Sequence, residues 1–179
     1  MITETVKIYC ENTNSHLFVQ QGTSLMQVAE MLSIPTHPYA PLLACYVNTR
    51  LRELNYKIYT PLTLRFIDIT HFEGMRVYQR TLFFILYKAV HDLYPERILH
   101  IKHAVAKGFY CEIEGMEDIS DEELGRVRNR MQDIINQNIP IVRNRITFDE
   151  AIEILKKNRL ETQVRFSKLR TSWIRTFYF

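Results

Sequence analysis

The stretch RTLFFILYKAVHDLYPERILHIKHAVAKGFYCEI, residues 80–113, decides the architecture of the second half of this chain. Apolar residues recur at helical spacing through 77–93, which predicts an amphipathic helix, and Pro95 ends it. Residues 98–106 and 109–113 then predict two strands, joined by a turn at Gly108. A long helix followed by a hairpin indicates an α+β module.

The rest of this half continues the mixed pattern. Ser120 with Glu123 three residues later forms a capping box that opens a helix. Residues 139–146 predict a strand, and Thr147 with Glu150 caps a last helix. The apolar positions expected to face inward on these two helices are Leu124, Val127, Met131, Ile134, Ile135, Ala151, Ile152 and Leu155.

Residues 1–70 predict a smaller α+β module. Apolar residues alternate with polar ones in 6–10 and again in 17–19, as half-buried strands require. Ser24 and Gln27 form a capping box at the start of a short helix, and strands are expected at 43–47 and 62–67. The order β-β-α-β-β favours a ubiquitin-like roll.

Composition sets broad bounds on function. Hydrophobic residues make up 46% and charged residues 24% of the 179 positions, values typical of globular domains. The three cysteines form no CxxC pair, so no zinc knuckle or redox motif is indicated. No segment resembles a signal peptide or a membrane span, which favours a cytoplasmic protein without a membrane partner.

The first module resembles a TGS domain, the β-grasp module found in threonyl-tRNA synthetases, certain GTPases and stringent-response synthetases. The matching residues are GTSLxxVA at 22–29, YVN at 46–48 and the closing strand LRFI at 64–67. The resemblance covers nearly all of residues 1–70 and implies a TGS-like β-grasp domain there.

The second module, residues 74–179, resembles the editing domain that follows TGS in threonyl-tRNA synthetases and recurs in alanyl-tRNA synthetases. LYP at 93–95, GFY at 108–110 and TFDEAIEILKK at 147–157 keep the order of that family. The pairing of both modules in this order is more specific than either alone. The resemblance implies an α+β editing-like fold. The apolar ending Phe177-Tyr178-Phe179 would be poorly placed as a free terminus, so we expect this module to be cut short at its C-terminus.

The editing helix of that family carries two histidines four residues apart, and counting back from LYP at 93–95 puts Arg80 and Phe84 at those positions. Arg80 is always charged and has no acceptor nitrogen, and Phe84 has no ligand atom. No cysteine follows Cys111, so a later Cys-x-x-x-His pair is absent from the sequence as well. We therefore expect no metal site, no catalytic residue and no cofactor in these residues.

Two sets of residues are candidate binding sites. A basic cleft suited to a small anion is expected from Arg76, Arg80, Phe84, Lys102, His103 and Lys107. The alternative is a solvated charged face. His100 and His103, three apart, are expected to face opposite sides of their strand.

The second set is a basic tail with interleaved aromatic residues. Residues 156–179 hold seven cations and one carboxylate, a net +6, so the total of +3 leaves −3 elsewhere. Basic and aromatic residues together are typical of single-stranded nucleic-acid binding. The alternative is that the aromatics pack on a partner domain. The candidate RNA-binding patch consists of Lys156, Lys157, Arg159, Arg165, Lys168 and Arg170.

The whole chain is similar to the N-terminal region of a family in which these modules precede a uridine kinase or phosphoribulokinase-type P-loop domain. That resemblance implies a regulatory or ligand-binding region, with ATP and magnesium used by a downstream kinase domain of the same chain. The alternative is a free-standing RNA-binding protein derived from threonyl-tRNA synthetase, without editing activity. In either case, Phe84 is expected to be largely buried against the 98–113 hairpin, because burying it fully is worth roughly 1.5–3 kcal/mol.

Overall fold

The computed structural model describes residues 4–106, 108–139, 141, 143–157 and 176–178. The chain divides into two compact units, Met1–Phe84 and Ile85–Phe179. Each unit mixes helices with strands, as the predicted α+β class requires.

The first unit is built on a five-stranded sheet and one short helix. Its elements are β1 (Thr5–Cys10), β2 (Ser15–Gln20), α1 (Leu25–Met31), β3 (Leu42–Val47), β4 (Arg50–Arg52) and β5 (Leu62–Asp68). The strand order is β2-β1-β5-β3-β4, and β1 runs parallel to β5 while the other pairs are antiparallel. This is the β-grasp arrangement that the sequence predicted.

The core of this unit lies between one face of the sheet and α1. Val6, Ile8 and Cys10 of β1 are buried, as the alternation in the sequence requires. They pack with Leu25 and Val28 of α1 in one cluster. Ser24 caps α1, and its side chain and that of Gln27 each accept a hydrogen bond from the other's backbone N–H.

Strand β4 was not predicted. It forms a hairpin with β3, in which Val47 pairs with Arg50 across Asn48 and Thr49. Asn48 has a φ of 54°, a left-handed conformation that asparagine tolerates better than most residues. Asn-Thr directly after a strand was therefore the available signal for this turn.

A long helix, α2 (Phe72–Leu93), begins five residues earlier than predicted and contains the boundary between the two units. Gly74 in its first turn comes so close to the end of β5 that a Cβ atom would lie 1.8 Å from the carbonyl oxygen of Asp68. Only glycine fits this position without a shift of the backbone.

The second unit continues with β6 (Leu99–Val105), β7 (Gly108–Ile113), α3 (Asp121–Asn136), β8 (Arg143–Arg145), α4 (Phe148–Lys157) and β9 (Thr176–Tyr178). β6 pairs with β7, and β8 pairs with β9. The predicted hairpin and both helices are present, with capping boxes at Ser120 and Thr147. Gly108 begins β7 instead of lying in the turn.

The core of the second unit forms where the last turns of α2 meet α3 and the hairpin. Ala89 and Val90 pack with Ile113 and with Val127 and Ile134 of α3. Ala151 and Ile152 of α4 are buried as expected. The side chain of Leu155 and residues 140 and 142 of the predicted 139–146 strand lie outside the described residues.

Two residues of the predicted α3 stripe are exposed, so that prediction was wrong for them. Leu124 is 52% and Ile135 is 48% exposed. Ile135 lies about 100° around the helix from the buried Ile134, and Leu124 lies in the first turn at the end of the stripe. Within the described part of the chain, no helix is long and apolar enough to cross a membrane.

Candidate functional site

The predicted anion cleft draws on both units. Arg76, Arg80 and Phe84 lie on α2, whereas Lys102 and His103 lie on β6, and Lys107 is outside the described residues. All five described side chains are exposed. Their convergence on one ligand stays a prediction.

Two of the cations in this set already have partners. Arg76 donates to Glu73 at 3.0 Å, and its guanidinium lies 5.5 Å from the centre of the Phe72 ring. Lys102 pairs with Glu112 at 3.0 Å across the hairpin. An anion bound by either cation would compete with these carboxylates.

Phe84 is 40% exposed, so the prediction that it is largely buried was wrong. Helical periodicity places Phe84 on α2, but it does not say whether another element covers that part of the helix. The free energy gained at this position is therefore less than full burial of a phenylalanine would supply.

The hairpin carries a connected polar surface that the sequence did not reveal. The register shifts between Ile101 and Ala104, so Lys102 and His103 both stand opposite Tyr110. His103 packs on the Tyr110 ring with 5.6 Å between centroids, and His100 lies 3.6 Å from the carboxylate of Glu114.

This bulge corrects the expectation that the two histidines face opposite sides. Tyr110 and Glu112 are two residues apart on β7 and therefore share a face, and Glu114 follows directly after the strand. A regular strand would have separated His100 from His103, but the extra residue reverses the alternation between them. The hairpin surface consists of His100, Lys102, His103, Tyr110, Glu112 and Glu114.

Charges on this surface are mutually compensated. The hydrogen bond from Lys102, with a further one from Tyr110, lowers the pKa of Glu112. The same Tyr110–Glu112 hydrogen bond raises the pKa of the phenol, because ionising it would place two anions together. The surface therefore presents both cationic and anionic groups to a polar ligand.

Metal ligands do not cluster in the described part of the chain, where no group of three or more His, Cys, Asp or Glu side chains is placed to hold an ion. Cys45 is buried, and burial raises the pKa of its thiol to about 12. This thiol therefore behaves as an apolar core group and not as a nucleophile.

The candidate RNA-binding patch is described in part. Lys156, near the end of α4, is exposed. The side chain of Lys157 and residues Arg159, Arg165, Lys168 and Arg170 lie outside the described residues. The patch stays a prediction.

No family model matches this chain. A search of curated proteins finds threonine--tRNA ligases. The protein from Clostridium kluyveri is 29% identical over 163 residues, which are 91% of this chain and 25% of that ligase. The ligase from Syntrophomonas wolfei is 28% identical over 137 residues, 76% of this chain and 21% of the relative.

Threonine--tRNA ligase 2 of Bacillus subtilis is 28% identical over 146 residues, 80% of this chain and 23% of that protein. This chain thus spans about a quarter of the length of the curated relatives it matches. These relatives support the resemblance to synthetases and give no support to the resemblance to a kinase fusion. The chain is similar to a region of threonine--tRNA ligases.

Proposed function

We propose that this chain is a non-catalytic RNA-binding segment related to threonine--tRNA ligases. The observation that carries the proposal is the similarity over 91% of the chain to a part of an enzyme whose name states that it acts on tRNA. Residues 1–70 would serve as the TGS-like module and residues 74–179 as the editing-like module, with tRNA or another RNA as the partner.

The proposal excludes editing because of two side chains on α2. Counting back from LYP at 93–95, the resemblance puts Arg80 and Phe84 where the editing family has its two helix histidines. A guanidinium cannot coordinate a metal or accept a proton at neutral pH, and a phenyl ring can do neither. The scaffold would thus be retained for binding after the loss of hydrolysis.

Charge asymmetry supports RNA as the ligand. The net charge of +6 in residues 156–179 contrasts with −3 over the rest of the chain. Phosphate neutralisation by such a segment releases counterions, so the affinity should fall steeply as salt rises. The exposed Lys156 at the end of α4 is the described residue from which this segment starts.

The test is a gel-shift or anisotropy titration of the full chain with unfractionated tRNA at low and moderate salt. We expect saturable binding whose logarithm falls with the logarithm of salt concentration by about 0.7–0.9 per neutralised phosphate. Lys156→Glu should weaken binding, whereas Lys57→Glu, an exposed lysine of the first unit, is the matched control. Absence of tRNA binding at low salt would refute the proposal.

A second arm addresses editing. The chain should leave mischarged seryl-tRNA intact, and elemental analysis should find less than one zinc per chain. Deacylation that depends on zinc would show that Arg80 and Phe84 do not stand at the positions that the resemblance gives them.

The kinase resemblance remains a separate prediction about the parent reading frame. A GxxxxGK[ST] segment after Phe179 would place an ATP- and magnesium-dependent domain downstream and make this region its regulatory part. A cytoplasmic location also remains a prediction. Neither alters the RNA-binding test, which uses the 179 residues alone.

A further inference from the structure

One face of the N-terminal sheet is turned away from the core of the first unit. Val6, Ile8 and Cys10 point into the core, so Lys7 and Tyr9 lie on the opposite face of β1. The strand registers place residues of β2, β5 and β3 on this same face. The side chains that make up this open face are Lys7, Tyr9, His16, Phe18, Tyr46 and Arg65.

The register brings these side chains into adjacent pairs. Phe18 of β2 stands opposite Lys7, and His16 stands opposite Tyr9. On the same face, beyond β1, Arg65 of β5 pairs with Tyr46 of β3. These two pairs lie on neighbouring strands, because β1 pairs with β5. Tyr9 of β1 is the register partner of Thr63, two residues before Arg65 on β5.

The planar groups are already held in place. The rings of Tyr9 and His16 lie 5.0 Å apart, and the Tyr9 hydroxyl donates to Asn14 Oδ1 at 2.7 Å. The Arg65 guanidinium lies 4.7 Å from the centre of the Tyr46 ring. Fixed rings and a fixed guanidinium lose little conformational entropy when a further flat group stacks on them.

Phe18 stands out on this face because it is 67% exposed. It contributes little to the core that Val19, its neighbour in β2, helps to form. A single exposed apolar side chain is ordinary, but this ring lies opposite Lys7 and two residues along β2 from His16, the stacking partner of Tyr9. That combination fits bases stacked along a chain of phosphates.

The charge on the face suits an anion only modestly. Lys7 and Arg65 are cationic, and Glu11, whose carboxylate lies 3.8 Å from Arg65 Nε, offsets one of them to leave +1. Stacking must therefore supply more of the affinity than phosphate neutralisation does. Duplex RNA hides the faces of its bases, so only unpaired bases can be stacked in this way.

We propose that the open face of the N-terminal sheet binds unpaired bases of single-stranded RNA, with Phe18 as an exposed stacking ring. This inference rests on the proposed RNA-binding function and assigns it a second set of residues besides those of the basic tail. The salt dependence of binding at this face should be shallow, since few phosphates are neutralised there.

The test uses the full chain and fluorescein-labelled eight-nucleotide oligo(A) and oligo(U), with anisotropy as the readout. Loss of one base–aromatic stack by Phe18→Ala should weaken oligo(A) binding by roughly 5- to 140-fold. Phe18→Trp should preserve binding, and a hairpin duplex should compete poorly. Tyr39→Ala is the matched control, because Tyr39 is 87% exposed and lies in the loop between α1 and β3.

The possible results distinguish failure of this inference from failure of the proposed RNA-binding function on which it rests. If the wild-type chain binds RNA and Phe18→Ala binds equally well, the sheet face is not the site and the proposed function stands. If the wild-type chain binds neither tRNA nor the oligonucleotides, the proposed function itself fails and the inference fails with it. Equal circular dichroism spectra for the variants show that the sheet is intact in each comparison.

Discussion

The carboxylate of Asp92 lies at the end of a helix that disfavours negative charge, and Arg130 of a different helix stabilises it most. It lies in the last turn of α2, where the helix dipole is negative and a carboxylate costs about 0.3–1 kcal/mol. Lys88, one turn earlier, donates to one carboxylate oxygen. Arg130 of α3 donates to the other through Nε at 3.0 Å and Nη2 at 2.7 Å.

The magnitude follows from the exposure of the pair. The side chains of Asp92 and Arg130 are 20% and 27% exposed. Fully exposed pairs are worth about 0–1 kcal/mol, and hydrogen bonds to charged groups about 1.5–3 kcal/mol. A coupling of about 1–2 kcal/mol between Asp92 and Arg130 is therefore expected. Lys88 adds only a few tenths, about 0.2–0.5 kcal/mol, since a cation that precedes its anion on a helix is the weaker order.

A double-mutant cycle by urea denaturation, followed by far-ultraviolet circular dichroism, tests this reasoning. Asp92→Asn alone should destabilise the second unit by about 1 kcal/mol. In an Arg130→Met background the same change should be neutral or slightly stabilising, because it then removes a carboxylate that the helix end disfavours. The exposed Arg126–Glu122 pair, 3.9 Å apart with side chains 61% and 84% exposed, is the control and should show almost no coupling.

The pH dependence supplies an independent check. Burial raises the pKa of Asp92, but the hydrogen bonds from Lys88 and Arg130 outweigh it and hold the pKa below its ordinary 3.8. A carboxyl with a depressed folded-state pKa stabilises the protein above its unfolded pKa and loses that effect as pH falls through the folded value. The gap between wild type and Asp92→Asn should thus be full near neutral pH and vanish in strong acid. A gap that persists into acid, or an Asp92–Arg130 coupling no larger than the control's, would refute the argument.

Three further predictions concern stability and reactivity. Leu64→Ala, at a fully buried position, should lower the free energy of unfolding by about 2–5 kcal/mol in urea denaturation. Phe84→Ala, at a 40% exposed position, should lower it by about 1–2 kcal/mol. Equal losses would mean that Phe84 is covered in solution. Ser24→Ala and Ser120→Ala should each cost about 1 kcal/mol through loss of an N-cap, and Ser→Asp at the same sites should restore most of it. Cys45, with a thiol pKa of about 12, should resist iodoacetamide near pH 8 until the chain unfolds, while the half-buried Cys111 reacts first in peptide mapping.

Local chemistry was sufficient to predict most of the elements. A capping box involves residues three apart, so Ser24–Gln27, Ser120–Glu123 and Thr147–Glu150 could be read directly from the chain, and each is present. Strand alternation likewise predicted the buried residues of β1, because neighbouring side chains on a strand must point to opposite faces. The α+β class and the β-grasp order of the first unit followed from these elements and from the resemblance to TGS domains.

Tertiary structure decided the features that depend on which groups meet across elements. The bulge in β6 places His100 and His103 on one side of the hairpin, and it arises from pairing with β7 and not from the sequence of β6 alone. The contact between Asp92 and Arg130 joins residues 38 apart, a separation at which no local pattern operates. Periodicity shows which face of a helix is apolar, but the exposure of Ile135 and Phe84 is set by whether another element covers that face, because burial is a property of the packed chain.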